Sequence, residues 1–149
     1  VYYNTLPGWH CSRYVDIPNK PLFAFGKGLS YTKFEYNNLL FDEEGFTLSV
    51  IVKNIGKRAG KETVQVYLRD CVSSVITPIR QLVAFEKIEL DKGEEKRVYF
   101  TLSLKDFSFV NRCEQRVVEK GKFEIMVGGS SDYNDLLKTM IELKEEVIC

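Results

Sequence analysis

Phe46-Thr47-Leu48-Ser49-Val50-Ile51-Val52-Lys53-Asn54-Ile55-Gly56-Lys57-Arg58-Ala59-Gly60-Lys61-Glu62-Thr63-Val64-Gln65-Val66-Tyr67-Leu68-Arg69-Asp70 is the stretch that decides the architecture. Phe46, Leu48, Val50 and Val52 alternate with Thr47, Ser49 and Lys53, the period of two that gives a sheet one buried face. Residues 54–60, bounded by Asn54 and Gly60 with Gly56 between, turn the chain. Residues 62–70 then extend again, with Val64, Val66 and Leu68 on one face and Gln65 and Tyr67 on the other.

The same signals recur toward the C-terminus. Residues 82–90 read as an extended stretch closed by Asp91-Lys92-Gly93-Glu94, and Val98, Phe100, Leu102 and Leu104 alternate as the next strand. Residues 105–110 have room for one helical turn, which Ser103 or Asp106 could cap. Residues 115–119 and 122–127 flank Gly121, and residues 136–143 supply a last strand. A first strand is expected over residues 32–41, whereas residues 71–81, punctuated by Pro78, read as irregular. Seven or eight short strands, with turn signals about every 8 to 12 residues, predict an all-β, immunoglobulin-like β-sandwich of about seven strands.

Residues 1–33 are built differently. They hold Tyr2, Tyr3, Trp9, Tyr14, Phe23, Phe25 and Tyr31, which follow neither the strand nor the helix period, and Pro7, Pro18 and Pro21 exclude a long helix. The junction Pro21-Leu22-Phe23-Ala24-Phe25-Gly26-Lys27-Gly28-Leu29-Ser30-Tyr31-Thr32 combines two glycines, free to take backbone angles closed to other residues, with apolar side chains that must pack on something. It reads as a packed hinge. An aromatic segment without regular structure lies across another surface, either this domain's own sheet or a neighbouring domain. The second reading is favoured, because exposed apolar patches mark contacts, and Tyr3, Tyr14, Phe23, Phe25 and Tyr31 are its candidate interdomain packing residues.

With 149 residues the chain is large enough for a self-sufficient core, and 44% hydrophobic content argues against disorder. Lys and Arg number 21 against 21 Asp and Glu, and no long block of like charge occurs, so nothing attracts nucleic acid or a membrane surface electrostatically. The apolar runs are short and broken by charge, which excludes a transmembrane helix, and the N-terminus lacks a signal-peptide layout. A chain that starts at Val1 is expected to be a fragment. Cys11, Cys71, Cys113 and Cys149 are widely spaced without a C-x-x-C and are expected as free thiols. Together with the lack of an Asn-x-Ser/Thr sequon, they lean toward a bacterial cytoplasm, the compartment otherwise staying unknown. The expected organisation is a lead-in over residues 1–30 from a preceding α/β domain, a sandwich over 31–144, and the start of a truncated tail or linker over 145–149.

Four stretches, in order, resemble the fibronectin type III-like accessory domain of glycoside hydrolase family three, the β-glucosidases and β-xylosidases. The first is the hinge, preceded by Ser12-Arg13-Tyr14-Val15-Asp16-Ile17-Pro18-Asn19 and followed by Phe34-Glu35-Tyr36. The second is Val52-Lys53-Asn54-Ile55-Gly56 through Gly60 to Val64-Gln65-Val66-Tyr67. The third is Arg80-Gln81-Leu82-Val83-Ala84-Phe85-Glu86-Lys87-Ile88 with Lys92-Gly93-Glu94. The last is Val118-Glu119-Lys120-Gly121 with Val127-Gly128 and Ser130-Ser131. Thr77-Pro78 stands where the family has Arg-Pro, Ala84 where it has a glycine and Lys92 where it has a proline.

The resemblance implies a non-catalytic accessory and stabilising domain of an enzyme that removes terminal β-linked glucose or xylose. A retaining glycosidase needs two carboxyl groups about 5 to 5.5 Å apart. In the family the nucleophilic aspartate comes from an (α/β)8 barrel and the acid/base from a following α/β domain, so no catalytic residue is expected in this chain. The catalytic barrel and α/β domain of the same polypeptide are then its partners, and it meets carbohydrate only through them.

Other residue patterns weigh little. Ser131-Asp132-Tyr133 resembles the surroundings of the family nucleophile but follows Val127-Gly128-Gly129-Ser130 at a strand end, where a closing turn is expected. Asp42-Glu43-Glu44 and Glu94-Glu95 read as solvated turn acids. His10 is the one histidine and sets no metal or triad, Gly26-Lys27-Gly28 lacks the third glycine of a dinucleotide loop, and Gly60-Lys61-Glu62 fails the phosphate-loop pattern. No cofactor or metal is therefore expected. Lys53, Lys57, Arg58 and Lys61 form a basic turn, solvated by default. The alternative function is a stand-alone sugar- or protein-binding sandwich, which for sugar would need two or three coplanar exposed rings on one face.

Overall fold

The computed structural model describes residues 21–75 and 77–148. Ten strands follow in chain order: β1 Phe34–Asp42, β2 Thr47–Asn54, β3 Gly60–Asp70, β4 Gln81–Leu90, β5 Glu95–Thr101, β6 Phe109–Val110, β7 Arg116–Val118, β8 Gly121–Gly128, β9 Leu137–Leu143 and β10 Val147–Ile148. They form a three-stranded sheet in the order β1-β2-β5, a four-stranded sheet in the order β4-β3-β8-β9, and a small sheet β10-β7-β6. The seven strands of the two large sheets are the expected sandwich.

β2 and β3, the two strands of the deciding stretch, lie in different sheets. Their inward residues meet: Leu48, Val50 and Val52 face Val64, Val66 and Leu68 in one buried cluster with Ile88, Leu90, Val98, Phe100, Phe123, Ile125, Val127 and Ile141. The inward positions expected from the alternation are buried, except Phe46, which is partly buried just before β2 and packs against the core, and the C-terminal end of the fifth strand. There Leu102 is buried but Leu104 is exposed, because Leu104–Phe107 turn into a 3-10 helix that starts after Ser103. Ser103 N donates to Asp106 Oδ2 at 2.7 Å, so both expected capping residues take part. The turn sends Phe107 into the core, where its ring meets Phe46 at 5.8 Å and Phe123 at 5.4 Å, both edge-on.

The small sheet is a finding beyond the sequence reading. Val147 and Ile148 pair antiparallel with Val118 and Val117, and β7 pairs with β6. Residues 147–148 thus add a strand to the domain, where the charged Lys144-Glu145-Glu146 had suggested only a tail. Two-residue strands carry too little pattern to be read as strands.

Candidate functional site: the seat of the lead-in segment

The two central strands of the four-stranded sheet, β3 and β8, are buried on both faces over part of their length. Gln65 and Tyr67 on β3, expected on the outer face, are covered, as are Glu124 and Met126 on β8. Tyr67, Met126 and Leu136 form a second apolar cluster, with Leu82 packed beside them. Residues 129–136, which link β8 to β9, contribute Leu136 and Ser131 to this cover, and the lead-in contributes Phe25 and Gly26.

Hydrogen bonds hold the cover in place. Gln65 Nε2 donates to Gly26 O at 3.0 Å and to Gly129 O at 2.8 Å, while Gln65 Oε1 accepts the Tyr67 hydroxyl at 2.5 Å. One amide thereby ties the lead-in to the 129–136 segment with both of its hydrogens committed. Ser131 N donates to Phe25 O at 2.8 Å, and Arg80 Nη1 donates to Ser131 O. Gly26 sits at φ +77°, and a Cβ there would overlap Gln65 Oε1, so this glycine is required twice over.

The other end of the lead-in is held by Asn54. Its side chain is fully buried; Oδ1 accepts Thr32 Oγ1 at 2.6 Å and Gly56 N at 3.0 Å, and Nδ2 donates to Arg58 O at 2.8 Å and Leu90 O at 3.1 Å. Ile55 N donates to Lys33 O at 2.9 Å. Asn54 therefore fastens the lead-in, the turn after β2 and the end of β4 together. Between β1 and β3 the Tyr36 hydroxyl donates to Glu62 Oε1 at 2.7 Å and bridges the sheets. Burial, more than the adjacent Glu62 charge and hydrogen bond, raises the Tyr36 hydroxyl far above the ordinary phenol range. Burial also raises the Glu62 carboxyl, against the Tyr36 hydrogen bond that lowers it.

Around these two fastenings several apolar side chains of the segment are exposed: Leu22 and Phe23 before the first at 91% and 58%, and Leu29 and Tyr31 between the two at 89% and 94%. A segment that served only to cover its own sheet would turn its apolar side chains inward; this one is held by backbone carbonyls and presents apolar groups to the outside.

Residues 62–131 match the fibronectin type III-like domain model. The chain is a fibronectin type III-like domain of the family-three glycoside hydrolase type. It is 47% identical over 127 residues to thermostable β-glucosidase B of Acetivibrio thermocellus, covering 80% of this chain and 17% of the relative. It is 38% identical over 139 residues to a putative β-xylosidase of Formosa agariphila, covering 89% of this chain and 18% of the relative. The crystal structure of a β-glucosidase from Listeria innocua in complex with glucose superposes with a TM-score of 0.82 at 40% identity, covering 95% of this chain and 22% of that one. The chain thus spans about a fifth of the length of these relatives.

In this fibronectin type III-like domain, the candidates of the sequence fall into two groups. Phe23, Phe25 and Tyr31 lie on the described part of the lead-in, whereas Tyr3, Tyr14 and His10 lie outside the described residues. The carboxylates are engaged in local turns: Asp132 Oδ1 accepts Asn134 N at 3.1 Å, Asp42 Oδ1 accepts Glu44 N at 3.2 Å, and Glu94 Oε2 accepts Asp91 N at 2.6 Å. A small pocket is lined by both Asp70 and Asp106, together with Leu68, Pro78, Phe107 and Phe123. Asp106 is the cap of the 3-10 turn, and Asp70 Oδ1 accepts Val72 N at 3.1 Å, so both carboxylates serve the backbone there. Among the described residues, no three His, Cys, Asp or Glu side chains are grouped to hold a metal, and Cys71 and Cys113 are free and exposed. In the basic turn, Lys53 pairs with Glu95 at 3.8 Å and Lys61 with Glu89 at 3.5 Å across exposed surface.

Gln65 and Asn54 were legible only as a strand residue and a turn residue. Their signal was a polar side chain within or next to an apolar run, which points to a buried hydrogen-bonding role when the sheet is covered on both sides.

Proposed function

We propose that this domain acts as the accessory, stabilising part of a β-glucosidase- or β-xylosidase-type enzyme and supplies neither catalytic carboxyl. The catalytic barrel and α/β domain of the same polypeptide carry the chemistry on terminal β-linked glucose or xylose, and residues 1–30 connect to them. Tyr3, Tyr14, Phe23, Phe25 and Tyr31 pack against those domains.

The observation that carries this reading is the inverted packing of the lead-in: its backbone carbonyls accept from Gln65 and Ser131, its Thr32 hydroxyl donates to Asn54, and Leu22, Phe23, Leu29 and Tyr31 are exposed. The relatives named β-glucosidase and β-xylosidase supply the substrate class. Among the described residues of the two large sheets and the 129–136 segment, the exposed rings stand apart. Phe85 is on β4 and Tyr99 on β5, in different sheets, and the face of Tyr133 is occupied by Lys138 Nζ at 3.5 Å from the ring centroid.

The test is hydrolysis of chromogenic aryl β-glucoside and β-xyloside by the polypeptide that contains this chain, beside the 149-residue chain alone. Turnover by the larger polypeptide and none by the chain is the expected result. Turnover by the chain itself would overturn the reading.

A further inference from the structure

Glu62 belongs to the inward series of β3 with Val64, Val66 and Leu68, so a carboxyl stands where the alternation places apolar side chains. It is half-buried, and three elements close on it. β1 supplies the Tyr36 hydroxyl, which donates to Glu62 Oε1 at 2.7 Å, and β4 supplies Ile88, its buried register partner. The 129–136 segment supplies Gly129. A Cβ there would overlap Glu62 Oε1 and stand 3.3 Å from the Tyr36 hydroxyl, so the bare glycine backbone lies directly against the hydrogen-bonded pair. The charged groups around it are turned elsewhere. Lys61 and Glu89 pair on the opposite face of the sheet, where Lys87 also stands, and Glu86, on the Glu62 side of β4, is exposed. Glu35 lies across from Lys53 on the outer face of the other sheet; in the segment, Asp132 Oδ1 accepts Asn134 N and Asp135 is exposed. Among the described residues, Tyr36 is thus the titratable group that faces Glu62, and burial is the main cause that raises the Glu62 carboxyl.

Gly129 is also where the cover of the sheet begins. Its carbonyl accepts from Gln65 Nε2, the amide that holds Gly26 O, and two residues on Ser131 N donates to Phe25 O. The segment that shuts water away from Glu62 is therefore the segment that seats the lead-in. We propose that Glu62 is a pH-sensitive latch of that seat: neutral, it lies under Gly129 with the segment closed; charged, it draws in water, lifts the segment and loosens the lead-in. The physical reason is the cost of keeping a charge from water, which is relieved when the segment opens and the carboxylate is hydrated. The Tyr36 hydrogen bond works the other way, because it favours the charged form in the closed state. The closed state holds the proton more tightly than the open one, so the latch is complete below the ordinary carboxylate range and is lost as pH rises through the raised value. The latch does not depend on what the rest of the polypeptide catalyses.

The test is hydrogen exchange in the 149-residue chain between about pH 4 and pH 8, a span that brackets an ordinary and a raised carboxyl. Each amide's rate is divided by its intrinsic rate, and the Glu62 carboxyl is titrated alongside by carbon NMR. The Ser131 N–H is expected to lose protection several-fold as pH rises, with the midpoint of the Glu62 titration, while the amides of β2, the central strand of the other sheet, stay protected. Glu62→Gln is expected to hold Ser131 N–H at its acid-side protection throughout. Asp70→Asn, which removes the other buried carboxyl of raised proton affinity, is expected to leave the dependence in place. Tyr36→Phe is expected to move the midpoint to higher pH, since the hydrogen bond that favours the charged form is gone. Protection of Ser131 N–H that is flat with pH, or that falls only together with the β2 amides, would tie Glu62 to global unfolding alone. A dependence that survives in Glu62→Gln, or a midpoint unlike that of the Glu62 carboxyl, would assign it to another group. Either result overturns the proposal, and should Glu62→Gln fail to fold, the midpoint match and the Tyr36→Phe shift decide it.

Discussion

β3 does two different jobs on its two faces. Inward, Val64, Val66 and Leu68 join a cluster drawn from both sheets, held by burial of apolar surface, which is non-directional and depends on volume. Outward, Gln65 and Tyr67 lie equally buried but are held by hydrogen bonds that specify which backbone atoms sit above them. The inner face makes the domain stable, and the outer face places a segment. A packed interior can be built from many apolar combinations, whereas a buried amide that meets two carbonyls and one hydroxyl fits one arrangement of the chain.

The largest effect is expected where the inner face is emptied. Phe100→Ala should lower unfolding free energy by about 3 to 5 kcal/mol and remove signals from the whole domain together, measured by denaturant unfolding. An unchanged midpoint would put Phe100 outside the core and break the contrast from the inner side. Next comes Gln65→Leu, which removes the donor to the Gly26 and Gly129 carbonyls and an acceptor of the Tyr67 hydroxyl. A loss of about 1 to 3 kcal/mol is expected, with faster hydrogen exchange at Ser131 N–H, the donor to Phe25 O. Full protection of that amide in the variant would show that the lead-in does not depend on the Gln65 grip.

A smaller effect separates the bridge between the sheets from both faces. The Glu62 carboxyl is raised in the folded state, so the folded chain holds its proton to higher pH than the unfolded chain does. That contribution to stability is complete below the ordinary carboxylate range and is lost as pH rises through the raised folded value. Glu62→Gln should remove this part of the pH dependence, while Asp70, raised by burial in the same direction, keeps its own. The Tyr36 hydroxyl is also raised, so its contribution stands below the ordinary phenol range and is lost above it; Tyr36→Phe should flatten the alkaline limb of the stability profile. A profile identical to that of the unsubstituted chain in both variants would show that the bridge is not coupled to folding. Smallest of all, Lys61→Ala breaks only the exposed pair with Glu89 and should change stability by at most about 1 kcal/mol, less at high salt, in thermal melts.

Much of the inner face was legible. Leu48, Val50 and Val52, and Val64, Val66 and Leu68, show their burial in a period of two, since each strand needs only its own residues to say which side is apolar. The alternation failed at Leu104, where the capping pair Ser103 and Asp106 starts a 3-10 turn and local hydrogen bonding overrides the strand period. The outer site was only half legible. Phe23, Phe25 and Tyr31 stood out by composition, and the glycine pair suggested a bend, of which Gly26 alone takes the left-handed angle. Gln65 and Asn54 did not stand out, because the meaning of a polar residue in a strand depends on what covers it.

By itself, then, the sequence determined the all-β class, the strand positions, the inward faces and the family resemblance, all of which follow from the two-residue repeat of an extended chain, from turn residues and from ordered motifs. Only the tertiary structure decided that β2 and β3 part into different sheets, that residues 147–148 return as a strand, and that the lead-in lies with its backbone on Gln65 and several apolar side chains exposed. Those outcomes turn on hydrogen bonds between residues far apart in the chain, such as the 39 positions between Gly26 and Gln65, and no local pattern encodes which distant carbonyl a side chain will meet.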